Sequence, residues 1–135
     1  SEGESAGGSG GPGGLGGNDI YFSALNSDGT FAMPVVVFEL SSSFEDLRPH
    51  VRKDGLEIIF DSNRPGTLGA TDFWVSMRES TTDPWSTPVH LGPEINSAGT
   101  EGGASLSWDR TALYFMSNGF GPLGFFDIYR ATRTK

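Results

Sequence analysis

Three aspartates recur along this sequence at nearly constant spacing, and each could contribute to a metal site. They stand 53 and 55 residues apart, and each follows a serine by ten positions across a glycine-containing segment; the pairs are Ser9 and Asp19, Ser62 and Asp72, and Ser117 and Asp127. A carboxylate beside loop carbonyl groups provides the oxygen ligands that calcium prefers. A carboxylate can equally accept hydrogen bonds from loop amides and hold a flexible turn in place. Because the residue recurs in every copy, we expect the structural role, with calcium as the alternative.

A second acidic position recurs and could supply a catalytic pair. Asp46 and Glu101 lie 55 residues apart, at equivalent places in two copies of the pattern. Two carboxylates that flank a glycosidic bond are the machinery of glycoside hydrolysis. Equivalence between repeats favours an architectural role for both residues, and we assign no catalytic residue.

The loops around these carboxylates provide candidate ligand-binding residues. Alternate loops of an antiparallel meander lie on the same face, so the glycine-rich loop and the segment that enters the next repeat should share one face. The candidates on that face are Asp46, Arg48, Arg64, Glu101 and Phe120. Phe120 belongs, with Phe125 and Phe126, to a loop that carries no aromatic residue at the matching positions of other copies. These three side chains are expected to form an exposed patch.

Motifs for other chemistry are incomplete. Residues 11–16 match the GxGxxG pattern, but a strand rather than a helix is expected after them, so we interpret the segment as a turn. Residues 103–107 lack the final glycine of a nucleophile elbow. The chain has no cysteine, and its two histidines, His50 and His90, occupy unrelated positions. Neither a zinc site nor a Ser-His-Asp triad is therefore expected, and no cofactor is assigned apart from the calcium alternative.

Composition limits the classes of partner. The 135 residues carry a formal charge of -8, with hydrophobic residues at 36% and aromatic residues at 12%. This content is too apolar for a disordered chain, and the acidity disfavours nucleic acid and anionic membrane surfaces. No segment approaches the roughly 18 apolar residues of a membrane-spanning helix. We expect neither nucleic-acid binding nor membrane insertion.

A repeat of about 54 residues organises the chain. Turn signals divide each copy into four short strands. The first strand is predicted at 47–52 and 103–107, the second at 56–61 and 111–116, the third at 19–25, 72–78 and 127–132, and the fourth at 31–38 and 85–91. No 3.6-residue period is sustained, so no substantial helix is expected. Residues 1–8 are predicted to be a disordered start, 9–40 a partial unit, 41–95 a complete unit and 96–135 a partial last unit.

Large aromatic side chains at repeat positions are expected to fill the space between neighbouring units. The residues assigned to this core are Phe60, Trp74, Trp85, Trp108, Phe115 and Tyr129. On the second predicted strand, Ile58 and Phe60 alternate with their neighbours and should point to one face.

The segment from Pro49 to Arg64 (PHVRKDGLEIIFDSNR), followed by an aromatic strand such as Asp127-Ile-Tyr129, resembles the WD-like β-propeller repeat of TolB and its bacterial relatives. Arg110 departs from the glycine of the family turn, and Ala104 departs from its proline. The resemblance implies an all-β propeller of about six four-stranded blades. It also implies periplasmic or extracellular location, with roles from protein docking to glycan-related work but no shared activity.

The predicted strands number nine, whereas propellers close with roughly four to eight blades of four strands. The sequence is therefore expected to be part of a longer protein, with assembly of a few copies into a ring as the alternative. The function expected is that of a non-catalytic binding or scaffold module that engages protein or glycan through its loops. The alternative is a fragment of a propeller hydrolase acting on glycans or peptides.

Overall fold

The fold is all-β, and its described residues form ten strands joined by turns. A computed structural model describes residues 14–121 and 124–134, together with the backbone of residues 2–7. The strands are β1 (Glu2–Gly7), β2 (Asp19–Ala24), β3 (Val35–Val36), β4 (Asp46–Val51), β5 (Glu57–Ser62), β6 (Asp72–Met77), β7 (Val89–His90), β8 (Glu101–Leu106), β9 (Ala112–Ser117) and β10 (Asp127–Thr132). The expectation that the chain lacks helix is confirmed over the residues described.

The strands form three antiparallel sheets in chain order. The first sheet has the order β1-β2-β3, the second β4-β5-β6-β7 and the third β10-β9-β8. Most strands agree with the sequence prediction to within two residues, but β3 and β7 are much shorter than predicted. Pro34 and Pro88 lie just before these two strands and lack the N–H that a ladder requires.

The strand β1 lies where the sequence analysis expects a disordered start. Its backbone pairs with β2 from the Glu2–Ala24 pair to the Gly7–Asp19 pair. The matching pairs in the other sheets are Ser62–Asp72 and Ser117–Asp127, so β1 takes the place of a second strand. Unpaired N–H and C=O groups on an edge strand attract such pairing whatever the side chains are. Ser9 lies outside the described residues.

Two apolar clusters pack the sheets against one another. Ile58 and Phe60 point toward the first sheet, where they meet Ile20 and Leu40. Ile59, between them in sequence, points the other way and packs against the third sheet in a cluster with Phe73, Ala104, Leu106, Leu113 and Phe115. The predicted alternation is thus correct, and β5 is buried on both faces because it has a neighbouring sheet on each side.

The predicted aromatic core is confirmed with one exception. Phe60, Trp74, Trp85 and Phe115 are buried, and Tyr129 packs against the second cluster. Trp108 is 80% exposed, so its assignment to the core is wrong. The residue lies in the turn between β8 and β9 rather than on a strand, so its side chain does not enter the space between sheets.

Candidate functional site

Asp46 and Glu101 are fully buried, and each binds two serine hydroxyls. Asp46 accepts hydrogen bonds from Ser42 Oγ (2.8 Å) and Ser62 Oγ (2.8 Å). Glu101 accepts them from the equivalent Ser97 Oγ (2.6 Å) and Ser117 Oγ (2.6 Å). In both cases the serine four residues earlier also donates its backbone N–H. We call each arrangement a serine node; it ties the entry of one strand to the end of the next.

The serine nodes correct the prediction that Asp46 and Glu101 form part of a ligand-binding face. Both carboxylates are inaccessible to a ligand. Arg64, also predicted there, is committed to the first node, with Nη2 donating to Asp46 Oδ1 (2.7 Å) and to the Leu40 carbonyl (2.6 Å). Its side chain is 13% exposed. These residues are brought together by the fold, but their contacts are internal.

The other two predicted face residues remain partly exposed. Arg48 pairs with Asp61 while keeping about half of its side chain in solvent. Phe120 packs edge-on against Tyr129, with ring centroids 5.5 Å apart, and is exposed on its other side, as are Phe125 and Phe126. Exposure of this aromatic loop agrees with the sequence prediction.

Two of the three recurring aspartates, Asp19 and Asp72, hold their glycine-rich loops, as expected for a structural role. Asp19 Oδ2 accepts the backbone N–H of Leu15 (2.8 Å), and Asp72 Oδ2 accepts that of Leu68 (2.7 Å). Asp127 is exposed, and its loop includes residues outside those described. Within the described segments, no group of three or more acidic or histidine side chains is arranged to hold a metal ion.

Asp72 also binds His90, which gives the chain one histidine–aspartate pair. His90 Nδ1 accepts the Gly92 N–H at 3.1 Å, so the neutral ring carries its proton on Nε2, which lies 2.6 Å from Asp72 Oδ2. Both ring nitrogens are therefore occupied, and no nitrogen remains to take a proton from a nucleophile. The pair anchors the short strand β7.

Asp61 is a buried carboxylate whose ionisation opposes folding. Burial raises its pKa from 3.8 to about 6, against the favourable effects of Arg48 and of the Gly103 N–H. With the folded pKa above the unfolded one, its contribution to stability is fully present below about pH 4 and is lost as the pH rises through about 6.

Replacing Asp61 by asparagine should therefore remove this pH dependence. We expect the Asp61→Asn variant to gain stability over the wild type as the pH rises from 4 to 7, by up to about 3 kcal/mol. Urea unfolding of both proteins across this range measures the difference. Burial lowers the pKa of His50, so the contribution of His50 to stability grows as the pH rises. This contribution is the same in both proteins and cancels in the comparison. A difference that stays constant with pH would contradict the assignment.

A surface cavity lies at the sheet ends opposite the glycine-rich loops. A cavity of about 420 Å³ is formed by the β4–β5 and β8–β9 turns, with His50, Lys53, Trp108 and Arg110 among its walls. A second cavity of about 500 Å³ adjoins it through Arg52, Trp108 and Arg110. We call this continuous surface the turn-face groove.

An exposed indole and a lysine form the centre of the groove. Lys53 Nζ lies 3.7 Å from the centroid of the Trp108 ring, a geometry in which the ring quadrupole attracts the cation. Arg110 Nη2 is 3.4 Å from Asp54 Oδ2, and both side chains are partly exposed. Burial lowers the pKa of His50, whose Nε2 accepts the Leu106 N–H, so this ring is neutral at pH 7.

The deeper cations of the groove are neutralised by Glu57. Arg133 binds both oxygens of this buried carboxylate at 2.9 and 2.7 Å, and Arg52 binds it at 3.1 Å. The Arg133 hydrogen bonds, followed by the charges of both arginines, hold the Glu57 pKa below its usual value despite burial. This cluster links the second sheet to the end of β10. Among the described lysine and arginine residues of the groove, Lys53 is the one without a carboxylate contact.

Arg110 has a strained backbone, at a repeat position where the other copy of the turn has glycine. Its φ is 68°, and the equivalent position in the second sheet is Gly55, with φ of 77°. A non-glycine residue in the left-handed region costs about 1 kcal/mol or more. Arg110→Gly is therefore expected to raise the free energy of unfolding by about 1 kcal/mol, because its exposed ion pair adds little. Thermal and urea unfolding provide the measurement, and a clear loss of stability would contradict it.

The turn-face groove was not predicted from the sequence, because Trp108 was assigned to the core. The sequence did contain one indication of this site: Arg110 stands where the family turn has glycine. A charged residue at a strained backbone position points to a role beyond forming the turn.

Comparison of the chain with protein-family models, with curated proteins and with solved structures finds no match. The resemblance to the TolB repeat therefore stands on the residues quoted for it. The described residues contain no helix long and apolar enough to cross a membrane. The identification that sequence and structure support together is an all-β chain of three antiparallel sheets.

Proposed function

We propose that this chain is a run of β-propeller blades that serves as a non-catalytic binding and scaffold module of an exported bacterial protein. One observation carries the proposal: successive sheets are joined at equivalent positions of the repeat. The Asp46 N–H donates to the Asn18 carbonyl (2.9 Å), and one repeat later the Glu101 N–H donates to the Thr71 carbonyl (3.1 Å). Units that join to their neighbours by the same contacts can be extended into a ring.

A second repeated link supports this view. Ser41 Oγ lies 3.1 Å from the Ile20 N–H, which donates to it, and Asn96 Oδ1 accepts the Phe73 N–H at 2.7 Å. Each of these loop residues thus ties the segment leading into the next sheet to the third strand of its own unit. Equivalent hydrogen bonds thus recur one repeat apart, as expected for a module built from similar units.

The free face of the third sheet is the expected site of the next blade. Ile128 is 75% exposed, whereas Ile20 and Phe73, at the same repeat position, are fully buried by the sheet that follows them. Tyr114 adds an exposed ring on β9, at the position where Ile59 is buried in the second sheet. Apolar residues exposed together on one face favour association.

Light scattering combined with far-UV circular dichroism tests the proposal. We expect a β-rich species at two or three times 14.4 kDa, reduced to a monomer by Ile128→Asp. A molten monomer would also support the proposal, since blades depend on neighbours that are not supplied. A wild-type monomer that unfolds cooperatively would overturn it, because three sheets would then be sufficient alone.

Ligand binding by the module is expected at loop and turn surfaces, with glycan or protein as partner. The turn-face groove is the best candidate because it combines an exposed indole with cations. The glycine-rich face is less suited, since Asp46, Arg64 and Glu101 are engaged internally.

A further inference from the structure

We infer that the turn-face groove binds an acidic polysaccharide, with a hexuronate ring stacked on Trp108 and its carboxylate near Lys53 and Arg110. This inference rests on the proposed function and names the ligand class for that module.

Trp108 has the properties of a stacking platform. It is 80% exposed, although tryptophan is the residue with the largest apolar surface to bury, and the other two tryptophans, Trp74 and Trp85, are in the core. Lys53 approaches the ring but leaves most of its surface open. A pyranose ring presents a flat array of C–H groups that matches such an indole, and stacking would remove the exposed apolar surface from water.

The lining of the groove holds more cations than carboxylates, Arg52, Lys53, Arg110 and Arg133 against Asp54 and Asp109, and this excess favours an anion. Lys53 has no carboxylate contact among the residues described, and Arg110 has one at 3.4 Å that is open to solvent. Both cations flank the indole in a chain whose overall charge is -8. A sugar that carries its carboxylate on the ring can stack and form an ion pair at once. A neutral sugar would leave Lys53 without a carboxylate partner.

The shape of the groove favours a polymer over a single sugar. The cavities of about 420 and 500 Å³ meet at Trp108 and Arg110, so neighbouring sugar units can extend to either side of the stacked ring. The strained backbone of Arg110 places a guanidinium at this junction where glycine would serve the turn alone. A peptide of glutamate residues shares the charge but offers no ring for the indole.

Isothermal titration calorimetry with hexagalacturonate tests the inference at low and moderate salt. We expect measurable binding that weakens with salt, and at least tenfold weaker binding of maltohexaose and of hexaglutamate. Trp108→Ala should weaken hexagalacturonate binding at least tenfold, and Lys53→Gln about three- to tenfold. Phe38→Ala, which removes an exposed aromatic ring away from the groove, should leave binding unchanged.

Three results would overturn the inference: no heat of binding with millimolar hexagalacturonate, equal binding of hexaglutamate, or an unchanged affinity in Trp108→Ala. Circular dichroism and light scattering of the same samples monitor folding and assembly. If those measurements match the expectation for the module while binding is absent, the ligand assignment fails and the proposed module does not.

Discussion

Replacement of Phe73 by alanine is expected to lower the free energy of unfolding by about 3–5 kcal/mol. The side chain is fully buried between the second and third sheets, and its ring meets Phe115 edge-on at 5.5 Å between centroids. The change would remove this contact and leave a cavity at a joint between sheets. Urea unfolding monitored by circular dichroism provides the measurement.

Two comparisons give the Phe73 prediction a control. Phe73→Leu keeps much of the volume and should cost less than half as much as Phe73→Ala. Phe38→Ala, at a side chain that is 60% exposed, should change stability by no more than about 0.5 kcal/mol. Similar effects from Phe38→Ala and Phe73→Ala would show that the contact between sheets does not hold the fold together.

Asp46→Ala is expected to cost about 3 kcal/mol, because it removes one partner from a largely buried ion pair. Arg64, whose side chain is 13% exposed, would lose its carboxylate, and the Ser42 and Ser62 hydroxyls would lose their acceptor. Because Arg64 is partly exposed, the expected loss of stability is at the lower end of the range for removing one partner of a buried ion pair. Chemical unfolding at neutral pH measures it.

The third sheet supplies a matched control for Asp46. The equivalent positions hold Glu101 and Gly119, so that serine node has a longer carboxylate and no arginine. The double variant Asp46→Glu with Arg64→Gly copies this arrangement and should lose less than half the stability lost by Asp46→Ala. A double variant as unstable as Asp46→Ala would mean that the two nodes are not equivalent.

The repeat and the strand positions could be predicted because they depend on local rules. Strand alternation at Ile58 and Phe60 and the turn at Asp54-Gly55 follow from side-chain period and backbone preference. The loop-holding role of Asp19 and Asp72 was also predictable, since the acceptor lies only four residues from its donor.

The candidate site was not predictable in the same way. Trp108 carries the residue type of the core, and only the position of its turn shows that it is exposed. Asp46 and Glu101 were predicted to lie on a ligand-binding face, whereas Ser42, Ser62, Ser97 and Ser117 enclose them in the fold. Two of these serines come from the far end of a neighbouring strand, 16 residues away in sequence.

The sequence by itself determined that the chain is all-β, that it repeats about every 54 residues, and which strands pair within a unit, because those properties arise from contacts between residues close in sequence. Tertiary structure alone decided which carboxylates are buried, which aromatic rings face solvent, and that Glu2–Gly7 completes the first sheet. Burial depends on which sheet lies opposite a side chain, and neighbours from distant parts of the chain supply that environment.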